Sequence, residues 1–181
     1  MGGGLKMGQP PQKWDKIIDL FFQHPSKSFQ LREIARLSSI PKTTVQRAVR
    51  ELLKTKMIVI KKNTTFPAYI ANESNFWYKF YKKYSILEKI YASGLVAFLE
   101  ESFHPRCMIL FGSSAKGEYL RESDLDIFLL AIENKINLVK YEKKLKHKIN
   151  LLFKEDFNML NSELFNNIIN GVKLSGFIKL K

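Results

Sequence analysis

Two carboxylates and a glycine-serine turn are the residues whose types and spacing could perform chemistry. Asp124 and Asp126 flank one apolar residue at the start of an apolar segment, and Gly112-Ser113 follows the apolar segment 108–111. Successive side chains of a strand point to opposite faces, so the sequence predicts both carboxylates on one face. Two such carboxylates can hold one or two Mg²⁺ or Mn²⁺ ions, which offset the charge that develops in phosphoryl transfer.

The turn supplies the second part of such a site. A glycine after a strand permits a tight turn that brings backbone amides close to an anion, and Ser113 with Ser114 is predicted to begin a short helix through residue 120. Lys116 and Arg121 either add positive charge for a triphosphate or are ordinary solvated side chains. The candidate nucleotide-binding residues are Gly112, Ser113, Ser114 and Lys116.

Written out, the pattern is G-S-x10-D-x-D in a strand-turn-helix-strand context. From about residue 86 to the C-terminus the chain resembles the nucleotidyltransferase superfamily that includes DNA polymerase beta, in particular its minimal, one-domain members. The resemblance implies that Gly112 and Ser113 engage the phosphates of ATP or another NTP. It also implies that Asp124 and Asp126 are the metal ligands and catalytic residues.

The same resemblance implies a third carboxylate on a later strand, which completes the metal site and deprotonates the attacking hydroxyl. The strand predicted over 148–153 has Asn150 at its inward polar position. An amide oxygen can contact a metal, but it brings no charge and is a poor base. Glu155 or Asp156 would substitute only if the loop after the strand folds back. Without a third carboxylate, nucleotide and magnesium binding remain expected, whereas the rate could fall by several orders of magnitude.

Positive charge is concentrated in the first half of the chain. Residues 1–83 contain 16 basic and 5 acidic residues, a net charge of +11, and the remaining 98 residues carry a net charge of only +2. This asymmetry predicts a module that binds a polyanion, joined to a module with another role.

The basic half reads as three helices followed by two strands. The third helix is predicted to begin with Pro41 as its first residue and to bury Val45, Val49, Leu52 and Leu53. Its opposite face presents side chains that pair with phosphates and base edges. These side chains are Lys42, Thr43, Gln46, Arg47, Arg50 and Lys54.

The segment from Gln30 to Ile60 resembles the winged helix-turn-helix family of DNA-binding domains. The resemblance implies that the third helix lies in the major groove, while Lys61 and Lys62, on the polar hairpin predicted over 61–65, contact the adjacent DNA backbone. The alternative interpretation is a protein-interaction module whose arginines are solvated charges.

The predicted fold class is α/β (α+β), with a winged helix domain followed by a small nucleotidyltransferase domain built on a mixed sheet flanked by helices. The aromatic-rich segment 75–102 is predicted to form two helices that break near Tyr84-Ser85. Its rings pack the domains together, form a homodimer seam or stack on bases. The predicted divisions are a flexible tail over 1–10, a winged helix domain over 11–72, a linker helix over 73–84 and the nucleotidyltransferase domain over 85–181.

Together these features predict a cytoplasmic DNA-binding protein with a fused nucleotidyltransferase domain. The lone Cys107 fits a reducing compartment, and no segment of about 20 apolar residues predicts a membrane span. The acceptor of the nucleotidyl group would be a hydroxyl of a partner protein or of a nucleic acid. The alternative is a non-catalytic transcriptional regulator, or an antitoxin-like protein, whose degenerate nucleotidyltransferase fold senses a nucleotide or mediates assembly.

Overall fold

The computed structural model describes residues 15–62 and 65–179. The tail predicted over 1–10 lies outside these residues, as do Trp14 of the first predicted helix and two residues of the predicted hairpin tip, Asn63 and Thr64. The chain divides into two units, residues 1–78 and 79–181. Within the described part of the chain, no helix has the length and apolar character needed to span a membrane.

The N-terminal unit combines three helices with a small antiparallel sheet whose strand order is β1-β3-β2. Pro41 is the residue before the third helix rather than its first helical residue, with an extended ψ of 138°. The elements are α1 (Asp15–Gln23), β1 (Phe29–Gln30), α2 (Leu31–Ser38), α3 (Lys42–Lys54), β2 (Ile58–Ile60) and β3 (Ala68–Ala71).

Helix α3 is amphipathic, and this places its cationic face outward. Val45, Ala48, Val49 and Leu52 recur at spacings of three and four residues and are all buried. Leu53, also predicted to be buried, is only half-buried. Because the apolar stripe packs against the rest of the unit, the polar stripe on the opposite side of the helix is left to solvent.

The C-terminal unit is built on a four-stranded mixed sheet of order β6-β5-β4-β7, in which only the β5-β6 pair is parallel. A 3-10 helix over Phe157–Met159 follows β6. The other elements are α4 (Phe76–Ser93), which begins in the N-terminal unit, α5 (Leu95–Phe103), β4 (Cys107–Phe111), α6 (Gly112–Lys116), β5 (Leu125–Leu130), α7 (Val139–Leu145), β6 (Ile149–Lys154), α8 (Ser162–Ile169) and β7 (Val172–Gly176).

The helix break predicted near Tyr84-Ser85 is wrong, because α4 runs without interruption to Ser93. Neither Tyr84 nor Ser85 has a conformational reason to end a helix. The break comes instead at Gly94, which adopts a left-handed conformation with φ of 84° and precedes α5. Glycine enters this region at no steric cost, so it separates the two helices.

Two other boundaries differ from expectation. Helix α6 ends at Lys116 rather than at residue 120, and β5 begins at Leu125, so Asp124 lies just outside the strand that was expected to carry both aspartates. Asp126 lies inside β5, where ladder pairing with both neighbouring strands fixes its backbone.

Candidate active site

Three strand ends meet at one edge of the C-terminal sheet. Phe111, the last residue of β4, pairs with Asp126 of β5, and Asp126 pairs with Asn150 of β6. Because β4 runs antiparallel to β5 and β6 runs parallel to it, the end of β4 lies beside the beginnings of the other two strands. The Gly112 turn, the two aspartates and Asn150 therefore gather at this edge.

Asn150 lies between the two carboxylates and hydrogen bonds to both. Its Nδ2 donates to Asp124 Oδ2 and to Asp126 Oδ1, each at 3.1 Å. Leu125, between the aspartates, is fully buried in the core of the unit. The two carboxylates thus lie on one side of the chain, as strand alternation predicts, and both remain partly exposed to solvent.

The amide of Asn150 takes the position at which the resemblance implied a third carboxylate. An NH₂ group has two hydrogens, so one can be given to each aspartate. Among the described residues, no group of three or more His, Cys, Asp or Glu side chains is arranged to hold a metal ion. The site therefore has two negative charges and one neutral polar group.

Glu155 and Asp156 do not replace the third carboxylate, because the chain after β6 does not fold back toward Asn150. Strand β6 carries the chain away from Asn150, so both residues emerge at the opposite end of the sheet. There the backbone carbonyl of Glu155 accepts a hydrogen bond from Arg106, and the Asp156 carboxylate accepts one from the backbone N–H of Asn158 at 2.8 Å. Asp156 therefore caps the 3-10 helix.

Gly112 brings the backbone of the turn directly against Asp126. Its φ is 71°, in the left-handed region, and a Cβ added to it would lie 2.8 Å from Asp126 Oδ2. Real Cβ atoms do not approach an oxygen this closely, so only glycine permits both the turn and the present carboxylate position.

The other predicted phosphate-binding residues lie on α6. Ser113 is partly exposed and Lys116 is exposed, but Ser114 is buried, with 1% of its surface accessible. In the described parts of the chain the Ser114 hydroxyl has no hydrogen-bond partner. A ligand outside the protein would therefore meet Ser113 and Lys116, and not Ser114.

The side chains of Asp124, Asp126 and Asn150 are of the types that bind a divalent cation. Carboxylate and amide oxygens are ligands that Mg²⁺ and Mn²⁺ accept, and the polar hydrogens of Asn150 occupy the space between the two aspartates, where a cation would be attracted. A half-turn of the Asn150 amide would present its oxygen in place of its nitrogen, giving a neutral third ligand.

An open cleft of about 480 Å³ adjoins Asp124 on the β6 side of the site. Four cationic side chains line it, and none of them forms an ion pair with another described residue. Glu122 and Glu142 also line the cleft, and the Glu142 carboxylate accepts a hydrogen bond from the backbone N–H of Ile149 at 3.1 Å. The cations are Arg121, Lys143, Lys146 and Lys148.

His147 is buried beside the site. Only 5% of its surface is accessible, and its Nδ1 lies 2.7 Å from the carbonyl oxygen of Ser123, directly before Asp124. Its one signal in the sequence is its place just before the strand that carries Asn150. Cys107 is fully buried in β4, where desolvation raises the pKa of its thiol.

The candidate DNA-contacting residues lie in the N-terminal unit. Five of these residues lie on α3 and are exposed on the face opposite its buried stripe. Lys61 and Lys62, on the segment after β2, are also exposed. Lys54, at the end of the same helical face, pairs with Glu51 at 2.7 Å. The five α3 residues are Lys42, Thr43, Gln46, Arg47 and Arg50.

Comparison with known proteins bears on the C-terminal unit. The family model described as "Polymerase beta, Nucleotidyltransferase" matches residues 94–176. This range contains the Gly112 turn, both aspartates, Asn150 and all four strands of the mixed sheet. The C-terminal unit therefore contains a nucleotidyltransferase-type domain, which confirms that part of the sequence prediction. No curated protein matched the chain.

Substitution of Gly112 by alanine tests the close approach of the turn. We expect Gly112→Ala to lower the free energy of unfolding by about 1 kcal/mol, because alanine is strained at a positive φ. We also expect weaker Mn²⁺ binding, measured by titration calorimetry, because the new methyl group displaces the Asp126 carboxylate.

Gly94→Ala is the matched control for this change. Gly94 has a similar φ of 84°, but a Cβ added there meets no described atom within 4 Å. The control should lose similar stability and keep its affinity for Mn²⁺. Equal losses of Mn²⁺ affinity in the two variants would contradict the role given to the turn.

Proposed function

We propose that this protein binds DNA through its N-terminal unit, and that its C-terminal domain binds an NTP with a divalent cation and transfers a nucleotidyl group to a hydroxyl, releasing pyrophosphate and the hydroxyl proton. The observation that carries the proposal is the convergence of the Gly112 turn with Asp124 and Asp126 at one sheet edge. The family match to residues 94–176 supports nucleotidyl transfer as the type of reaction.

Each group of the site has a place in this reaction. Asp124 and Asp126 would hold Mg²⁺ or Mn²⁺, which when bound supplies positive charge that stabilises the phosphates of ATP or another NTP. The backbone amides at the start of α6 lack acceptors within the helix and are available to the phosphate oxygens. The Ser113 hydroxyl and the Lys116 ammonium would add a hydrogen bond and a charge.

The arrangement of strands supports a separate place for the acceptor. Strand β5 lies between β4, which ends in the phosphate-binding turn, and β6, which begins beside the cationic cleft. The two aspartates thus lie between a donor side and an acceptor side. The four cations outnumber the carboxylates of Glu122, Asp124 and Glu142, and this small positive excess supports an acceptor segment with negative charge, from a protein or a nucleic acid.

A second function is favoured by Asn150. A neutral amide is a poor base, so a domain that holds an amide at this position is suited to bind a nucleotide without transferring it. Under this alternative the protein is a transcriptional regulator or an antitoxin-like protein that senses a nucleotide or assembles through the domain, for example as a homodimer.

Transfer of label separates the two functions. With ATP radiolabelled at its α-phosphate, Mg²⁺ and cell extract, the wild-type protein should label an acceptor, and Asp124→Ala should reduce labelling by at least about 100-fold because a charged ligand is removed. Glu101→Ala, which removes an exposed carboxylate of α5, is the control and should label normally. Labelling that survives Asp124→Ala excludes the metal assignment, and saturable ATP binding without transfer supports the second function.

Asn150→Asp tests what the amide does at the site. A third carboxylate next to Asp124 and Asp126 should raise Mn²⁺ affinity by at least about 10-fold, which corresponds to 1.4 kcal/mol. In the presence of EDTA the variant should unfold at a lower temperature than the wild type, because three carboxylates repel one another, and Mn²⁺ should reverse this destabilisation. A melting temperature that responds to Mn²⁺ no more than that of the wild type would show that Asn150 lies outside the cation site.

Salt dependence tests the DNA-binding role of α3. Arg47→Ala and Arg50→Ala should each weaken binding to duplex DNA, and each should reduce the slope of log affinity against log salt by about 0.9, because one fewer DNA phosphate is neutralised. Fluorescence anisotropy at several salt concentrations measures both effects. Lys16→Ala removes an exposed cation of α1 and should change the slope less; equal slopes for all three variants would contradict the assignment.

A further inference from the structure

Asp124 is the part of the site that the sheet does not position. Strand β5 begins at Leu125, so Asp124 is the last residue of the loop 117–124 that follows α6. Asp126, in contrast, is held in the ladder between β4 and β6. Loops position side chains less well than strands do, so a functional carboxylate on a loop needs additional support.

That support comes from two consecutive residues, His147 and Lys148, directly before β6. His147 Nδ1 lies 2.7 Å from the carbonyl oxygen of Ser123, and the backbone N–H of Leu125 donates to the carbonyl of Lys148 at 2.8 Å. The Ser123 carbonyl belongs to the peptide group before Asp124, and the Leu125 N–H belongs to the peptide group after it. Peptide groups are planar, so a hydrogen bond to each of them restrains φ and ψ of Asp124.

The imidazole is itself held in one orientation. The ring of His147 is buried and packs with its plane at 86° to the ring of Tyr119, at a centroid distance of 5.7 Å. A carbonyl oxygen only accepts hydrogen bonds, so Nδ1 must carry the hydrogen that it shares with Ser123. Ser123 is fixed from the other side as well, because its hydroxyl accepts a hydrogen bond from the backbone N–H of Leu120 at 2.8 Å.

We propose that His147 is a positioning residue, whose Nδ1–H holds the Ser123 carbonyl and thereby keeps the Asp124 carboxylate in place beside Asp126 and Asn150. The inference deepens the proposed function and rests on it only for the identity of the bound cation. Removing an outer partner of a metal ligand usually lowers metal affinity by about 10–100-fold, and a decrease in this range is expected here.

A pair of amide substitutions separates hydrogen bonding from packing. The side-chain nitrogen of asparagine is as many bonds from Cα as Nδ1 of histidine, whereas that of glutamine corresponds to Nε2. His147→Asn and His147→Gln lose the same ring packing against Tyr119, but only the first retains a donor at the required position. We expect His147→Gln to bind Mn²⁺ about 10-fold or more weakly than the wild type, and His147→Asn to keep most of the affinity.

Hydrogen exchange of the full chain provides a readout that needs no metal. The Leu125 amide should exchange faster in His147→Gln than in His147→Asn, because the neighbouring peptide group is released. Equal exchange rates and equal Mn²⁺ affinities in the two variants would overturn the proposal. If the wild-type protein binds no Mn²⁺ while the two exchange rates differ, the proposed function fails and the positioning role stands.

The tautomer of the wild-type histidine is a further measurement that does not depend on any variant folding. Nitrogen NMR of the neutral ring should show hydrogen on Nδ1 of His147. Hydrogen found on Nε2 alone would remove the donor and overturn the proposal.

Discussion

The candidate site depends on the register in which β5 lies between β4 and β6. Leu125 and Ile127 are fully buried on one side of β5, and Asp126 lies between them on the other side. A shift of one residue would place the Asp126 carboxylate in the core that Leu125 and Ile127 now fill, which is strongly unfavourable for a charged group. The hydrophobic packing of the sheet therefore determines where the carboxylate lies, and with it which residues of β4 and β6 become its neighbours.

Asn150 offsets part of the repulsion between the carboxylates of Asp124 and Asp126. Two adjacent carboxylates repel one another, and the NH₂ group between them offers each a hydrogen bond without adding a negative charge. A carboxylate at the same position would make the cluster depend on a cation for its order, and it would also supply a base. With the amide, the two aspartates stay paired with a donor in the absence of a cation, but the site then lacks that base.

The N-terminal unit separates its two roles on opposite faces of α3. The buried stripe from Val45 to Leu52 anchors the helix, and the residues between those positions carry the polar and cationic side chains outward. This division requires only the helical period, so it was predictable from the sequence.

The strands β4 and β6 were also predictable from the local sequence, since each is a short apolar run. Strand β7 was not, because it forms through antiparallel pairing with β4, more than sixty residues earlier.

The errors of prediction also have physical causes. The α4 break was placed near Tyr84 on the aromatic pattern, whereas the left-handed backbone of Gly94 decides it.

By itself, the sequence determined that Asp124 and Asp126 share one side of the chain next to a glycine turn, because alternation and turn preference act over a few residues. Only the tertiary structure decided that Asn150 lies between the two carboxylates, that Glu155 lies at the far end of the sheet and that His147 holds the peptide before Asp124. These relations come from the parallel pairing of β5 with β6, which joins residues about 24 positions apart that no local pattern connects.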